Sequence, residues 1–178
     1  AIHALGPLLV TLDGRPVTGF ESAKVQALLV YIAQESGLPH SRDTLAGLLW
    51  PDQPGDTARR NLRQALFNLR EAIRDRGEEP SFLRVTRRTI QFNTESDHWL
   101  DSSVFSAHMA ASEAHPLLRE PSGGSHNPGR TGYGWTGGIA RVPRAPHRPE
   151  KCEFCIGELE QAIALYRGGF LEGFFVDE

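Results

Sequence analysis

The chain has 178 residues, 39% of them hydrophobic, and a formal net charge of −3. This length allows one domain or one domain with part of another, and the apolar content is sufficient for a buried core. No charged segment followed by a long apolar run opens the chain, and no stretch approaches 18 apolar residues. We therefore expect a cytoplasmic protein with neither a signal peptide nor a membrane span. The chain lacks an initiator methionine and stops just after a helix-turn sequence, so we also expect a fragment of a longer protein.

The first elements in chain order are short strands. Residues 8–12 and 15–18 flank the turn pair Asp13-Gly14, which predicts a β-hairpin. Residues 2–5 add a further candidate strand before Gly6-Pro7.

Two helices are predicted next. Apolar residues recur at i, i+3, i+4 and i+7 from Val25 to Ile32, so residues 24–35 should form an amphipathic helix. Ser41 is a candidate N-cap for a second, shorter helix. Trp50-Pro51 should end that helix, because proline cannot continue the hydrogen-bond ladder. Its inward-facing residues are predicted to be Leu45, Leu48 and Leu49.

A third helix is predicted over residues 56–75, with Asp56 as its cap. At 100° per residue its apolar side chains fall on one face and its arginines on the adjoining flank around Phe67. The segment from Asp56 to Arg88 contains nine arginines and five acidic residues, a local charge of +4 that leaves −7 for the rest of the chain. The net charge of the chain gives no general attraction to phosphate, whereas the positive charge of this segment gives a local one.

Two short runs rich in β-branched and aromatic residues follow, residues 82–86 and 89–93, with Arg87-Arg88 between them. They predict a hairpin with a cationic tip. A two-residue turn favours residues such as glycine or asparagine that adopt positive φ, which arginine does not, so a longer loop fits as well. Three helices followed by a basic hairpin is the layout of a winged helix, in which the third helix enters the DNA major groove.

Several motifs in the first half resemble those of a known family. They are LGPLLVTLDGRPV, KVQALLVYIA, SRDTLAGLLWPD and the repeat RNLRQALFNLREAI. Their order and spacing resemble the amino-terminal domain of the Streptomyces antibiotic regulatory protein family. This resemblance implies an OmpR-type winged helix over residues 1–96, with a small sheet before its first helix.

The resemblance continues in the second half. DHWLDSSVF and LEQAIALYRGGFLEGF are similar to the opening of the bacterial transcriptional activator domain, a tetratricopeptide-like helical module. The family implies transcriptional regulation, as an activator, through direct repeats of double-stranded DNA, with self-association on DNA and RNA polymerase as a partner. Residues 97–178 would then be a partial activator domain within a mainly α protein with small β elements. The Gly-, Pro- and Arg-rich residues 120–149 depart from the family and predict a flexible insertion.

The winged-helix interpretation proposes roles for individual residues. Arg60, Arg63 and Arg70 are the best candidates for guanine or phosphate contacts. Two roles are open for Phe67: contact with a thymine methyl group, or packing against the wing or the second helix. Trp50 and Trp99 are interpreted as packing residues. The full set of predicted DNA contacts is Arg59, Arg60, Arg63, Gln64, Phe67, Asn68, Arg70, Arg74, Arg87 and Arg88, with Asn61 further round the helix.

Cys152 and Cys155 form the one C-x-x-C pair of the chain. With His147, and with His115 or His126 as a fourth ligand, the pair is a candidate structural zinc site. A reduced pair of thiols at a helix start is the favoured interpretation, so no cofactor and no metal are expected, and a redox switch is a third alternative.

Enzyme motifs are missing from the sequence. It contains no G-x-x-x-x-G-K-[ST], H-E-x-x-H or G-x-S-x-G, so we expect no catalysis. The hypothesis that competes with DNA binding is an interaction module whose arginine face binds an acidic protein, with the helical segment from Asp101 onward as the partner platform.

Overall fold

A computed structural model describes residues 1–76, 80–113 and 152–176 of the chain. The described part is mainly helical and includes two three-stranded sheets. The helices are Ala23–Gln34 (α1), Arg42–Leu49 (α2), Gly55–Ala72 (α3), Asp101–Glu113 (α4) and Glu153–Leu165 (α5). The strands are Ile2–His3 (β1), Leu9–Leu12 (β2), Arg15–Pro16 (β3), His40–Ser41 (β4), Leu83–Val85 (β5) and Thr89–Phe92 (β6).

The first sheet has the order β1-β2-β3 and is antiparallel throughout. Asp13 and Gly14 connect β2 to β3 with φ angles of 50° and 72°. Positive φ at both central residues is what the twist of a two-residue hairpin requires, and Asp-Gly is a favoured pair for it. The predicted hairpin and the additional strand near the amino terminus are both confirmed.

Helices α1 to α3 form the centre of the core. Leu28, Ile32, Leu62 and Leu69 are almost completely buried, as the helical spacing of their apolar positions requires. The prediction was wrong for Leu48, whose side chain is 52% exposed on the outer face of α2. Since α2 has only eight residues, Leu45 and Leu49 already cover the narrow face that meets the core.

The ends of α2 agree with prediction, but those of α3 do not. Ser41 caps α2, because its Oγ accepts a hydrogen bond from the backbone N–H of Thr44 at 3.1 Å. Helix α3 begins one residue before Asp56, so the predicted cap was wrong; the Asp56 carboxylate accepts a hydrogen bond from Arg59 at 2.9 Å instead.

Helix α3 ends three residues earlier than predicted, in a Schellman motif. The Asp75 N–H donates to the Arg70 carbonyl at 2.8 Å, and the Arg74 N–H donates to the Glu71 carbonyl at 3.2 Å. These two bonds place Arg74 at the C′ position with φ of 55°, where glycine is usual. Arg74 therefore lies beyond the helix and outside its row of exposed side chains.

The second sheet has the order β4-β6-β5. Strands β5 and β6 form the predicted hairpin, with Val85 opposite Ile90. The two residues of β4 were not predicted; His40 pairs with Ile90, and Ser41 pairs with Thr89. This pairing holds the hairpin against the start of α2.

Helices α4 and α5 pack on each other, and α4 contacts β1 of the first sheet. The buried carboxylate of Asp101, the first residue of α4, accepts hydrogen bonds from the backbone N–H groups of Ala4 at 2.8 Å and Leu5 at 3.0 Å. Leu100 belongs to the same core cluster as α1 to α3. The chain segment around the predicted boundary at residues 96 and 97 is therefore bonded to the amino-terminal sheet.

Some predictions concern residues outside the described ranges. These are the insertion at residues 120–149 and the candidate zinc ligands His115, His126 and His147. Within the described ranges, none of the helices combines the length and the apolar character needed to cross a bilayer.

Candidate nucleic-acid interface

Helix α3 presents one row of exposed side chains. Its apolar residues are mostly buried in the core, so the positions between them face outward at helical spacing. The half of the row nearest the amino terminus is basic. The exposed members are Asp56, Arg59, Arg60, Arg63, Gln64, Phe67 and Glu71.

Arg59 and Arg63 of this row, with Leu62, form one wall of a groove. The start of α2 and the tip of the β5–β6 hairpin form the other walls, and the hairpin side contributes Arg87 and Arg88. We call this feature the arginine groove, and it is lined by Ser41, Arg42, Asp43, Arg59, Leu62, Arg63, Val85, Thr86, Arg87 and Arg88. Five guanidinium groups and a single carboxylate thus line one concave surface. Guanidinium groups bind phosphate in a planar, two-pronged geometry, so an anionic backbone suits this surface.

Arg59, one of the groove arginines, forms ion pairs with two carboxylates. Its Nε donates to Asp43 at 2.7 Å and its Nη1 donates to Asp56 at 2.9 Å. The hydrogen bond to Asp43 raises the pKa of Arg59. Arg60 and Arg63 are exposed, and neither forms an ion pair with another residue that the structure describes. Arg60 and Arg63 are accordingly better placed than Arg59 to meet an incoming phosphate or base.

The hairpin tip is held by a threonine and contains no glycine or asparagine. The Thr86 Oγ1 accepts hydrogen bonds from the N–H groups of Arg88 at 3.1 Å and Thr89 at 2.9 Å. The Thr86 N–H donates to the Thr89 carbonyl at 2.9 Å, which closes the turn. These bonds satisfy the tip backbone locally while both arginine side chains remain exposed.

Three predicted contact residues lie outside the groove. Asn68 is buried, and its side chain accepts from the Glu21 N–H at 3.0 Å, because this position of α3 faces the loop before α1. Arg70 donates to the buried carboxylate and to the carbonyl of Asp75, at 3.3 and 2.9 Å. Arg74 lies at the opposite end of α3 from the groove, beside the Asp13-Gly14 turn. The arginine groove therefore excludes Asn68, Arg70 and Arg74.

Phe67 is half exposed, and its ring is covered by Arg76, whose guanidinium carbon lies 4.1 Å from the ring centroid. Arg76 also forms an ion pair with Glu71 at 2.7 Å. The structure thus shows a partner for Phe67 that the sequence did not predict. Gln64 is exposed one turn nearer the groove and Asn61 is partly exposed.

Sequence reasoning missed Arg42 and Asp43 in the groove. Both lie in the first turn of α2, and the groove exists because the hairpin tip, more than forty residues later, returns to that turn. Of the two tryptophans interpreted as packing residues, Trp50 packs against the core and Trp99 contacts the His3 ring.

The two cysteines lie at the start of α5. Cys152 is the N-cap residue, and a hydrogen bond from the backbone of Cys155 lowers the pKa of its thiol. Cys155 is buried, which raises the pKa of its thiol, and its Sγ contacts the Ser112 carbonyl at 3.7 Å. Among the residues that the structure describes, no three His, Cys, Asp or Glu side chains converge into a possible metal site.

The arrangement of α1 to α5 and the two small sheets defines a mainly helical fold that is known from a solved structure. Mycobacterium tuberculosis EmbR, in complex with a low-affinity phosphopeptide, matches 97% of this chain with a TM-score of 0.63 and 21% sequence identity. The chain spans 37% of the EmbR chain. This likeness establishes the shared fold. No protein-family model and no curated protein matches the sequence.

Proposed function

We propose that this chain belongs to a transcriptional regulator that binds double-stranded DNA in a sequence-specific manner. The observation that carries the proposal is the arginine groove, in which guanidinium groups from α2, α3 and the hairpin tip line one concave surface. A surface that only kept the protein soluble would have no need to gather charge from three separate elements. The local concentration of positive charge also contrasts with a net charge of −3 for the chain.

In the proposed complex, α1 to α3 and the β5–β6 hairpin act as a winged helix. The basic half of α3 enters the major groove, where Arg60, Arg63 and Gln64 reach base edges or phosphates. Arg87 and Arg88 contact the DNA backbone from the wing. Because Asn68 and Arg70 are hydrogen-bonded elsewhere and Arg74 lies beyond the end of α3, the proposed contact surface is restricted to the amino-terminal half of α3 and the wing.

The resemblance to Streptomyces antibiotic regulatory proteins extends this proposal. Residues 1–96 would be the DNA-binding domain, and residues 97–178 would begin a tetratricopeptide-like activator domain. An activator that binds direct repeats in the cytoplasm, with RNA polymerase as a partner and self-association on DNA, follows from that resemblance. The fold shared with EmbR is consistent with this assignment.

The test is DNA binding by the full chain across a series of salt concentrations. With four or five phosphates neutralised, log K for random duplex DNA should fall with log salt at a slope of about −4, since each contact contributes about −0.9. The variant Arg60→Ala/Arg63→Ala should flatten this slope by about two contacts. Selection from a pool of random duplexes should then enrich a defined sequence, because base contacts add discrimination to the backbone term.

The matched control is Arg15→Ala/Arg74→Ala, which removes the same charge at the opposite end of α3. Arg15 and Arg74 line a surface beside the Asp13-Gly14 turn. This surface lies about 15 Å from Arg63 along the helix axis at 1.5 Å per residue. The control should retain the wild-type slope. Failure of the wild type to bind duplex DNA at low salt would overturn the proposal.

A protein partner is the competing function, and one observation favours it for the carboxy-terminal part. Apolar side chains are exposed along α5 and the segment after it, with Ile163 69% and Phe175 77% exposed. Exposed apolar surface of this kind is typical of protein contacts. In that case, the arginine groove would bind random and selected duplexes with equal, weak affinity.

A further inference from the structure

We propose that Arg42 is a positioning residue that fixes the wing for DNA contact by bonding to the backbone of the hairpin tip. This inference rests on the DNA-binding function proposed above and adds a role for a residue outside α3 and the wing. Arg42 is the first residue of α2, directly after the N-cap Ser41. It is partly buried, unlike Arg87 and Arg88, which are exposed.

Two hydrogen bonds connect Arg42 to the tip. The Arg42 N–H donates to the Arg88 carbonyl at 2.9 Å. The Arg42 side chain, through Nε, donates to the Thr86 carbonyl at 3.1 Å. The first bond uses the backbone and would survive any substitution other than proline. The second bond depends on the side chain, so its contribution can be removed without deleting an element.

The two carbonyls that accept these bonds belong to the residues on either side of Arg87. The internal bonds of the tip run through Thr86 and leave both carbonyls directed toward α2. A hairpin tip without such an external bond has more conformations, and ordering it on DNA would cost conformational entropy. Arg42 lowers that cost because it orders Arg87 and Arg88 before the DNA arrives.

A positioning role differs from a direct phosphate contact in its dependence on charge. Glutamine carries a neutral N–H donor on the same side-chain atom position as the arginine Nε, whereas alanine carries none. Arg42→Gln should therefore keep the bond to the Thr86 carbonyl while it removes the charge. If Arg42 bound phosphate directly, Arg42→Gln and Arg42→Ala would both reduce the salt slope by about 0.9.

The experiment compares wild type, Arg42→Gln, Arg42→Ala and Arg87→Ala/Arg88→Ala in the full chain. Binding to random duplex DNA is measured across a salt series. Wild type and Arg42→Gln should share one slope. Arg42→Ala should flatten the slope of log K against log salt by up to about 1.8, the value for two lost wing contacts. If the affinity at 1 M salt is unchanged, this corresponds to about 60-fold weaker binding at 0.1 M salt. Adding Arg42→Ala to the wing double variant should cause little further loss, because both changes remove the same contacts.

A second measurement needs no DNA. Amide hydrogen exchange at Arg88 and Thr89 should be faster in Arg42→Ala than in wild type and should return toward wild type in Arg42→Gln. Circular dichroism verifies that each variant is folded. Equal loss of slope in Arg42→Gln and Arg42→Ala, with unchanged exchange at the tip, would overturn the positioning role while DNA binding stands. Absence of DNA binding by the wild type would instead overturn the proposed function.

Discussion

Arg74 has a backbone conformation that costs free energy for any residue with a side chain. Its φ of 55° places it in the left-handed region at the end of α3. Arg74→Gly should raise the free energy of unfolding by about 0.5–1 kcal/mol, because glycine avoids the steric penalty but loses more entropy on folding. Urea denaturation measures this change. Arg63→Gly, within α3, should lower stability by about 1 kcal/mol; equal effects at the two positions would contradict the explanation.

Asp75 should make the stability of the protein depend on pH. Burial raises the pKa of its carboxyl group above 3.8, although bonds from Phe82 and Arg70 oppose the shift. Between pH 3.8 and the raised pKa, the folded state therefore holds a proton that the unfolded state has lost. Across this window the contribution of Asp75 to stability falls as pH rises. The wild type should gain stability relative to Asp75→Asn as pH falls through this window.

Urea denaturation at several pH values checks this expectation. Asp52→Asn is the matched control, since Asp52 is an exposed carboxylate in the loop before α3. A difference between wild type and Asp75→Asn that stays constant across the window would refute the role of burial.

At the scale of elements, Asp101 connects α4 to the first sheet. Its carboxylate accepts from the N–H groups of Ala4, Leu5 and Ser102 at 2.8, 3.0 and 2.7 Å. Asp101→Ala should lower the free energy of unfolding by about 2–5 kcal/mol, because buried amides lose their acceptor. Asp101→Asn retains one acceptor oxygen and should cost less.

The matched control for Asp101 is Asp97→Ala, which removes an exposed carboxylate four residues earlier. Thermal and urea unfolding should show little change for this control. A loss as large as that of Asp101→Ala would mean that charge, and not the hydrogen bonds from Ala4 and Leu5, accounts for the effect.

Elements with a strong local signal were predicted closely, and those that depend on distant partners were not. The apolar period of α1 and α3 and the Asp13-Gly14 turn each determine an element from neighbouring residues. Strand β4 has two residues and exists because β6 pairs with it, so no local sequence pattern predicts it. Of the residues predicted to contact DNA from α3, the structure places Arg59 and Arg63 in the arginine groove and Asn68, Arg70 and Arg74 outside it.

At the scale of the whole molecule, residues 97–178 should contribute to the stability of the amino-terminal part. Ala4 is completely buried, the Ile2 N–H donates to the Trp99 carbonyl at 2.8 Å, and Leu100 lies in the core. A fragment of residues 1–96 should unfold at a lower temperature than the full chain, as measured by circular dichroism. Equal melting temperatures would show that residues 1–96 are an independent domain, as the sequence boundary suggests.

Local patterns in the sequence were enough to predict the order of the three helices, the two hairpins, the core positions of α1 and α3, and the concentration of arginines between Asp56 and Arg88. These follow from periodicity, turn chemistry and charge, which act between residues close together in the chain. Which arginines share a surface depends on how the chain folds. The folded structure leaves Arg70 and Arg74 outside the groove, because bonds within residues 70–75 end α3 and hold Arg70. It adds Arg42, because the hairpin tip returns to α2 from more than forty residues later in the chain.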